Sequence, residues 1–135
     1  MSLKYENLTG RIIKAFYDVY NELGYGFLEK VYENAIALEL SSAGLRVGQQ
    51  RPVEVYYLGR QVGCYFSDVI VERLVIIEVK SVEALCEAHE AQLLNYLKAT
   101  EIEVGLLLNF GLKPAFRRKI FTNDQKRHCQ LPTKE

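Results

Sequence analysis

The chain has 135 residues, 49% hydrophobic and 25% charged, with 17 basic and 17 acidic side chains. That length suits one domain with one core, and the hydrophobic share is too high for a disordered chain. No apolar run approaches the about 20 residues of a membrane helix, and zero formal net charge gives no global basic footprint for a nucleic acid.

Met1 to Leu8 is polar and lacks the apolar stretch of a signal peptide, so the expected location is cytoplasmic. One domain is expected over 1–135, with a core at about 8–121 and a polar, basic tail over 122–135. Cys64, Cys86 and Cys129 are odd in number and widely spaced, which fits reduced thiols and gives no structural zinc pattern.

Leu8, Ile12, Phe16, Val19 and Leu23 recur at steps of three and four and predict a helix over about Leu8–Leu23. Gly24-Tyr25-Gly26 turns the chain into a second helix, about Leu28–Ala43, with the stripe Leu28, Val31, Ala35 and Leu38. The period then changes to two: Val53, Val55 and Tyr57 alternate with Glu54 and Tyr56, as in a strand. Leu58-Gly59-Arg60 reads as a hairpin connection. In the next strand Cys64, Phe66, Asp68 and Ile70 share one face, and Tyr65, Ser67, Val69 and Val71 the other. After a turn at Glu72-Arg73, a third strand runs over Leu74–Lys80, then a helix over about Val82–Thr100. Val104–Phe110 is almost wholly apolar, as in a central strand buried on both faces, and Phe116–Phe121 reads as a basic edge strand. The order α-α-β-β-β-α-β-β predicts an α/β (α+β) fold, a mixed sheet flanked by helices.

Three ionisable residues, Asp68, Glu78 and Lys80, interrupt otherwise apolar strands. Glu78 and Lys80 are two apart and so share a face. An ion pair at a solvated strand end would explain these two but leaves Asp68 without a role. A metal site uses all three. Two carboxylates, with the carbonyl of Val79, bind a hard cation such as Mg²⁺ (or Mn²⁺). Lys80 beside it can orient or deprotonate a water, or neutralise charge on a phosphate. Asp68 and Glu78 can share a cation only on one face of the sheet. A two-residue turn would separate them, so an odd connection, Val71-Glu72-Arg73, is expected, with Asp68 opposite Ile76 and Glu78 one diagonal step away.

From Gly111 onward seven basic residues face two acidic ones, a local charge of +5 that leaves −5 for the rest. Arg117, Arg118 and Lys119 are either a solvated surface or a phosphate-contacting patch flanking the site, with Arg117 and Lys119 on one face.

Asp68, nine residues, then Glu78-Val79-Lys80 resembles the PD-(D/E)XK nuclease superfamily. Gly26-Phe27-Leu28-Glu29-Lys30-Val31-Tyr32 matches the pattern of the GxxExxY proteins, a branch of it. His89-Glu90-Ala91-Gln92-Leu93-Leu94-Asn95-Tyr96-Leu97 resembles that family's post-core helix, and Val104 to Gly111 its following strand. The resemblance spans about Leu8 to Phe121 and implies a restriction-endonuclease-like fold, a divalent metal, and hydrolysis of phosphodiester bonds in DNA or RNA.

It further implies that Glu29 completes the metal site and that Gln92 lines it, with Gly26, Tyr32, His89 and Tyr96 in support. Read by itself, Glu29 is a carboxylate favoured beside a helix N-terminus. Tyr32 can bond Glu29 or pack in the core. Gln92 shares a helix face with His89 and Tyr96 and is otherwise a surface glutamine. His89 is more often a structural histidine than a ligand, and His128 sits exposed in the tail. The rival to a nuclease is a non-catalytic module that binds nucleic acid or protein. A small-phosphoester hydrolase is a third reading. The partner is nucleic acid and not a membrane. A chain this small covers few base pairs, which makes a homodimer a candidate assembly.

Overall fold

The computed structural model describes residues 3–126. Arg127, His128, Cys129, Lys134 and Glu135, from the expected tail, lie outside them.

Helix α1 (Glu6–Leu23) buries Ile12, Ala15, Phe16 and Val19, as its apolar spacing dictates. Helix α2 (Glu29–Ser42) forms where expected but turns a different face inward. It buries Tyr32, Glu33, Ile36, Ala37 and Leu40, while Leu28 is 80% and Leu38 69% exposed. Tyr32, Ile36 and Leu40 form a second series at four-residue spacing, and the aromatic ring settles which series wins. The Tyr32 ring stacks on Phe110 at 4.3 Å and 15°. Its hydroxyl donates to the Gly24 carbonyl at 2.6 Å and accepts the Phe27 N–H at 3.2 Å, which fixes the loop between the helices. Tyr32 is therefore a core residue and not a partner of Glu29.

Among the described residues five strands follow the order β1 (Val47–Tyr57), β2 (Arg60–Val71), β3 (Val75–Lys80), β4 (Val104–Phe110) and β5 (Pro114–Ile120) across one sheet. Only β3 and β4 are parallel, joined through helix α3 (Glu87–Lys98). The element order is the expected one. All seven residues of β4 are buried. Helices α1 and α2 cover one face, packing on Val69, Val71, Ile77, Leu106 and Leu108. Helix α3 covers the other, with Leu93 and Leu97 against Ile76 and Leu107. No helix among the described residues is long and apolar enough to cross a membrane.

Three of the boundaries that differ from the sequence reading bear on the site. β1 begins at Val47, before the alternation becomes regular. Its backbone is left-handed at Gln50 (φ 51°), and the ladder with β2 skips Gln50 between Gln49↔Val69 and Arg51↔Ser67 without a change of register. Helix α3 starts at Glu87, not near Val82, because Asn109 holds the preceding loop: Val82 N–H donates to Asn109 Oδ1 at 3.0 Å and Asn109 Nδ2 to the Val82 carbonyl at 2.9 Å. A Cβ on Gly111 would lie 2.2 Å from that carbonyl, so the close approach needs glycine.

The third is the β2–β3 connection. Val71 pairs with Val75, Ile70 with Ile76 and Val69 with Ile77, which leaves Glu72-Arg73-Leu74 as the turn. Glu72 and Arg73 are left-handed, at φ 53° and 56°. The connection is odd, as expected, but lies one residue later, because Val71 and Val75 are both fully buried and pair inside the core. One step further in the same register, Asp68 faces Glu78 directly and not Ile76.

Candidate active site

Glu78 alternates with Ile76 on β3, and Asp68 with Ile70 on β2, so both carboxylates lie on the α3 face of the sheet. Asp68 N–H donates to Glu78 Oε2 at 3.0 Å, and Val79 N–H to Asp68 Oδ2 at 2.8 Å. Glu78 is only 4% exposed. Burial, and then the neighbouring Asp68 charge, push its carboxyl up to about 8. Burial raises Asp68 as well, against the opposing bond from Val79. Two acids forced together in a dry setting favour a proton or a cation between them.

Lys80 is on the same face, two residues beyond Glu78. Among the described residues no ion pair joins them. Lys80 Nζ instead donates to Gln92 Oε1 at 3.3 Å, and Gln92 Nε2 donates to the Tyr96 hydroxyl at 3.1 Å. Gln92 and Tyr96 are one turn apart on α3, so that helix holds the ammonium in place. His89 is used elsewhere: its Nδ1 accepts the Cys86 N–H at 3.1 Å and caps α3.

Glu29 stands apart from the pair. It is exposed, and its Oε2 accepts the Ser81 N–H at 3.1 Å, just past Lys80. Among the described residues no three His, Cys, Asp or Glu side chains form a metal-holding group. The acid that does reach the pair is Glu33, one turn further along α2 and 4% exposed. It accepts bonds from Lys30 Nζ (3.0 Å), Gln49 Nε2 (2.8 Å) and Gln50 Nε2 (2.9 Å). Gln50 Nε2 also reaches Asp68 Oδ1 at 3.3 Å. The Glu33 charge helps raise both Asp68 and Glu78. Sequence reasoning missed Glu33. Its signal was a charged residue next to Tyr32, inside the series that includes Ile36 and Leu40.

The basic strand lies two strands away from this pair. Across the sheet, Glu78 pairs with Leu107 and Leu107 with Arg117, and Leu107 lies buried under α3. Arg117 and Lys119 both reach Glu90 of α3, whose carboxyl is held below its usual range by the hydrogen bond from Lys119 and then by the charges of Lys119 and Arg117. Arg118 turns the other way, to the Lys4 carbonyl.

A sequence-family model described as the PD-(D/E)XK nuclease superfamily matches residues 6–120. No curated protein matches. A solved structure named "Crystal structure of SSO0001" aligns at a TM-score of 0.47 and 16% identity, over 90% of this chain and 61% of that one. The chain thus spans less than two thirds of that protein's length.

Proposed function

This chain belongs to the PD-(D/E)XK nuclease superfamily, and we propose that it is a metal-dependent nuclease acting on phosphodiester bonds in DNA or RNA. The observation that carries this reading is the pairing of half-buried Asp68 with buried Glu78, with Lys80 on the same face. Mg²⁺ binds through one or two carboxylates, keeping waters and substrate phosphates as its other ligands, so this donor set fits Mg²⁺ or Mn²⁺ without a third acid. Asp68 and Glu78 would hold the ion, with the Val79 carbonyl as a further ligand. When bound, it supplies a Lewis acid for the phosphoryl oxygen.

The remaining steps belong to side chains. The Lys80 ammonium orients the attacking water or offsets charge growing on the phosphate. Gln92 fixes that ammonium, and Tyr96 fixes Gln92. Glu29 supports the site by holding Ser81 where the chain leaves Lys80. Within the superfamily we place the chain in the GxxExxY branch, where Gly26, Glu29 and Tyr32 serve the inter-helix loop and this exit. A cytoplasmic location goes with the reading, since Cys64 and Cys86 are free and exposed.

The test is a cleavage panel over single- and double-stranded DNA and RNA, with Mg²⁺, Mn²⁺ or EDTA and Lys80→Ala as control. Metal-dependent cutting that Lys80→Ala abolishes supports the reading. The rival is a module that binds nucleic acid or protein without turnover. That rival predicts oligonucleotide binding and no cutting with any metal.

A further inference from the structure

On the α3 side of the sheet a cleft of about 620 Å³ opens between the start of β1, the β2–β3 turn and the loop before β4. Arg46, Arg51 and Arg73 line it, together with Gly48, Ile70 and Glu101. Arg46 faces Glu72 at 3.7 Å. Among the described residues the Arg51 and Arg73 guanidinium groups make neither an ion pair nor a hydrogen bond, so their donors are free for a ligand. This is the reverse of Arg117 and Lys119, whose charges Glu90 already engages.

The arginine positions are built rather than scattered. A Cβ on Gly48 would fall 2.3 Å from Arg51 Nε, so the absent side chain at 48 is what lets Arg51 fold back across the cleft. Arg73 occupies the left-handed turn that also sets Asp68 against Glu78. The cleft adjoins the carboxylates as well. Ile70 lies in its lining, two residues along β2 from Asp68 and on the same face, about 7 Å away at strand rise. A nucleic-acid strand carries a charge roughly every 3.4 Å of axis, so one spanning Asp68–Glu78 and running toward the β2–β3 turn brings phosphates roughly two to five nucleotides away to these arginines.

We propose that the Arg46–Arg51–Arg73 cleft binds the phosphates flanking the scissile one and so sets the path of the strand through the site. This rests on the nucleic-acid reading above, and it names a contact surface other than the basic strand β5. Arginine forks suit phosphate oxygens, which they engage two at a time.

The experiment is fluorescence anisotropy with labelled single- and double-stranded oligonucleotides over a salt series in EDTA, where nothing is cut. The variants are Arg51→Gln/Arg73→Gln, Gly48→Ala and Arg117→Gln/Lys119→Gln, each first checked for an unchanged melting transition. Loss of two phosphate contacts should weaken affinity about tenfold or more and flatten the log–log salt slope by roughly 1.4 to 1.8. Gly48→Ala should weaken binding at unchanged charge, because it displaces Arg51. The Arg117/Lys119 variant should stay within about twofold of the parent. Unchanged affinity and slope in Arg51→Gln/Arg73→Gln overturns the proposal, as does inorganic phosphate binding to the parent as tightly as an oligonucleotide. Failure of the nuclease reading shows separately: arginine-dependent binding would persist while the cleavage panel stays blank.

Discussion

Asp68 and Glu78 each accept a hydrogen bond from the main chain of the opposite strand, Val79 N–H to Asp68 at 2.8 Å and Asp68 N–H to Glu78 at 3.0 Å. Side chains thus replace the ladder bonds where β2 and β3 part. One oxygen of each acid is held by a main-chain N–H, so neither carboxylate can swing away from the other without giving up that bond.

Binding and chemistry should therefore separate by mutation. Glu78→Ala is expected to abolish stabilisation by Mg²⁺, read as the shift in melting temperature on adding the ion. Lys80→Ala should keep that shift and lose about 10²-fold or more in cleavage rate. Equal loss of Mg²⁺ stabilisation in both variants would assign Lys80 a structural role.

The raised Glu78 carboxyl predicts a pH dependence for the metal-free protein. In the unfolded chain the group titrates near its ordinary 4.5, and in the fold at about 8. Between these values the folded state holds the proton that the unfolded state has released, so stability falls as pH rises. The contribution is complete below 4.5 and gone above about 8. Melting temperature in EDTA should decline across this window for the parent and much less for Glu78→Gln. Mg²⁺ requires the ionised acid, so its stabilising effect should grow with pH. A flat profile in the parent would show that burial and the Asp68 charge do not raise the Glu78 carboxyl in the fold.

The two acids on α2 should differ sharply. Glu33→Ala leaves Gln49, Gln50 and Lys30 without their shared acceptor, at a cost of about 1–3 kcal/mol. Glu29→Ala removes one exposed bond to Ser81 and should change stability by no more than about 0.5 kcal/mol. Denaturant midpoints of both variants decide this, and a larger loss for Glu29→Ala would contradict the assignment.

Asn109 and Gly111 bear on activity from a distance. Asn109 pairs with Lys80 across β3 and β4 and holds Val82 beyond it. Asn109→Ala and Gly111→Ala should each shift the exit of β3. The expected result is slower cleavage with Mg²⁺ stabilisation kept, measured on protein that still melts cooperatively. Full activity in both would mean that the loop does not position Lys80.

The sequence carried the element order, the buried β4 and the shared face of Asp68 and Glu78, because these follow from local period and the parity of one turn. It misassigned the inner face of α2, where two apolar series compete. The choice is made by Phe110, a residue 78 positions after Tyr32, and no local pattern contains it. Glu33 was hidden for the same reason. The start of α3 was placed early because Val82 to Leu85 suits a helix, and only the distant Asn109 overrides that preference. The arginine cleft joins residues from β1 and the far turn, which become neighbours only after the hairpin closes.

The outer strands bear on how copies of the chain meet. β1 has a left-handed residue at Gln50 and then Pro52, which lacks an N–H. β5 opens with Pro114 and carries Arg117, Arg118 and Lys119. An added strand would find a broken row of donors on one rim and like charges on the other. Both rims of the sheet thus disfavour edge-to-edge growth. A homodimer would instead have to form through a helical surface, such as the outward side of α2 with Leu28, Val31 and Leu38.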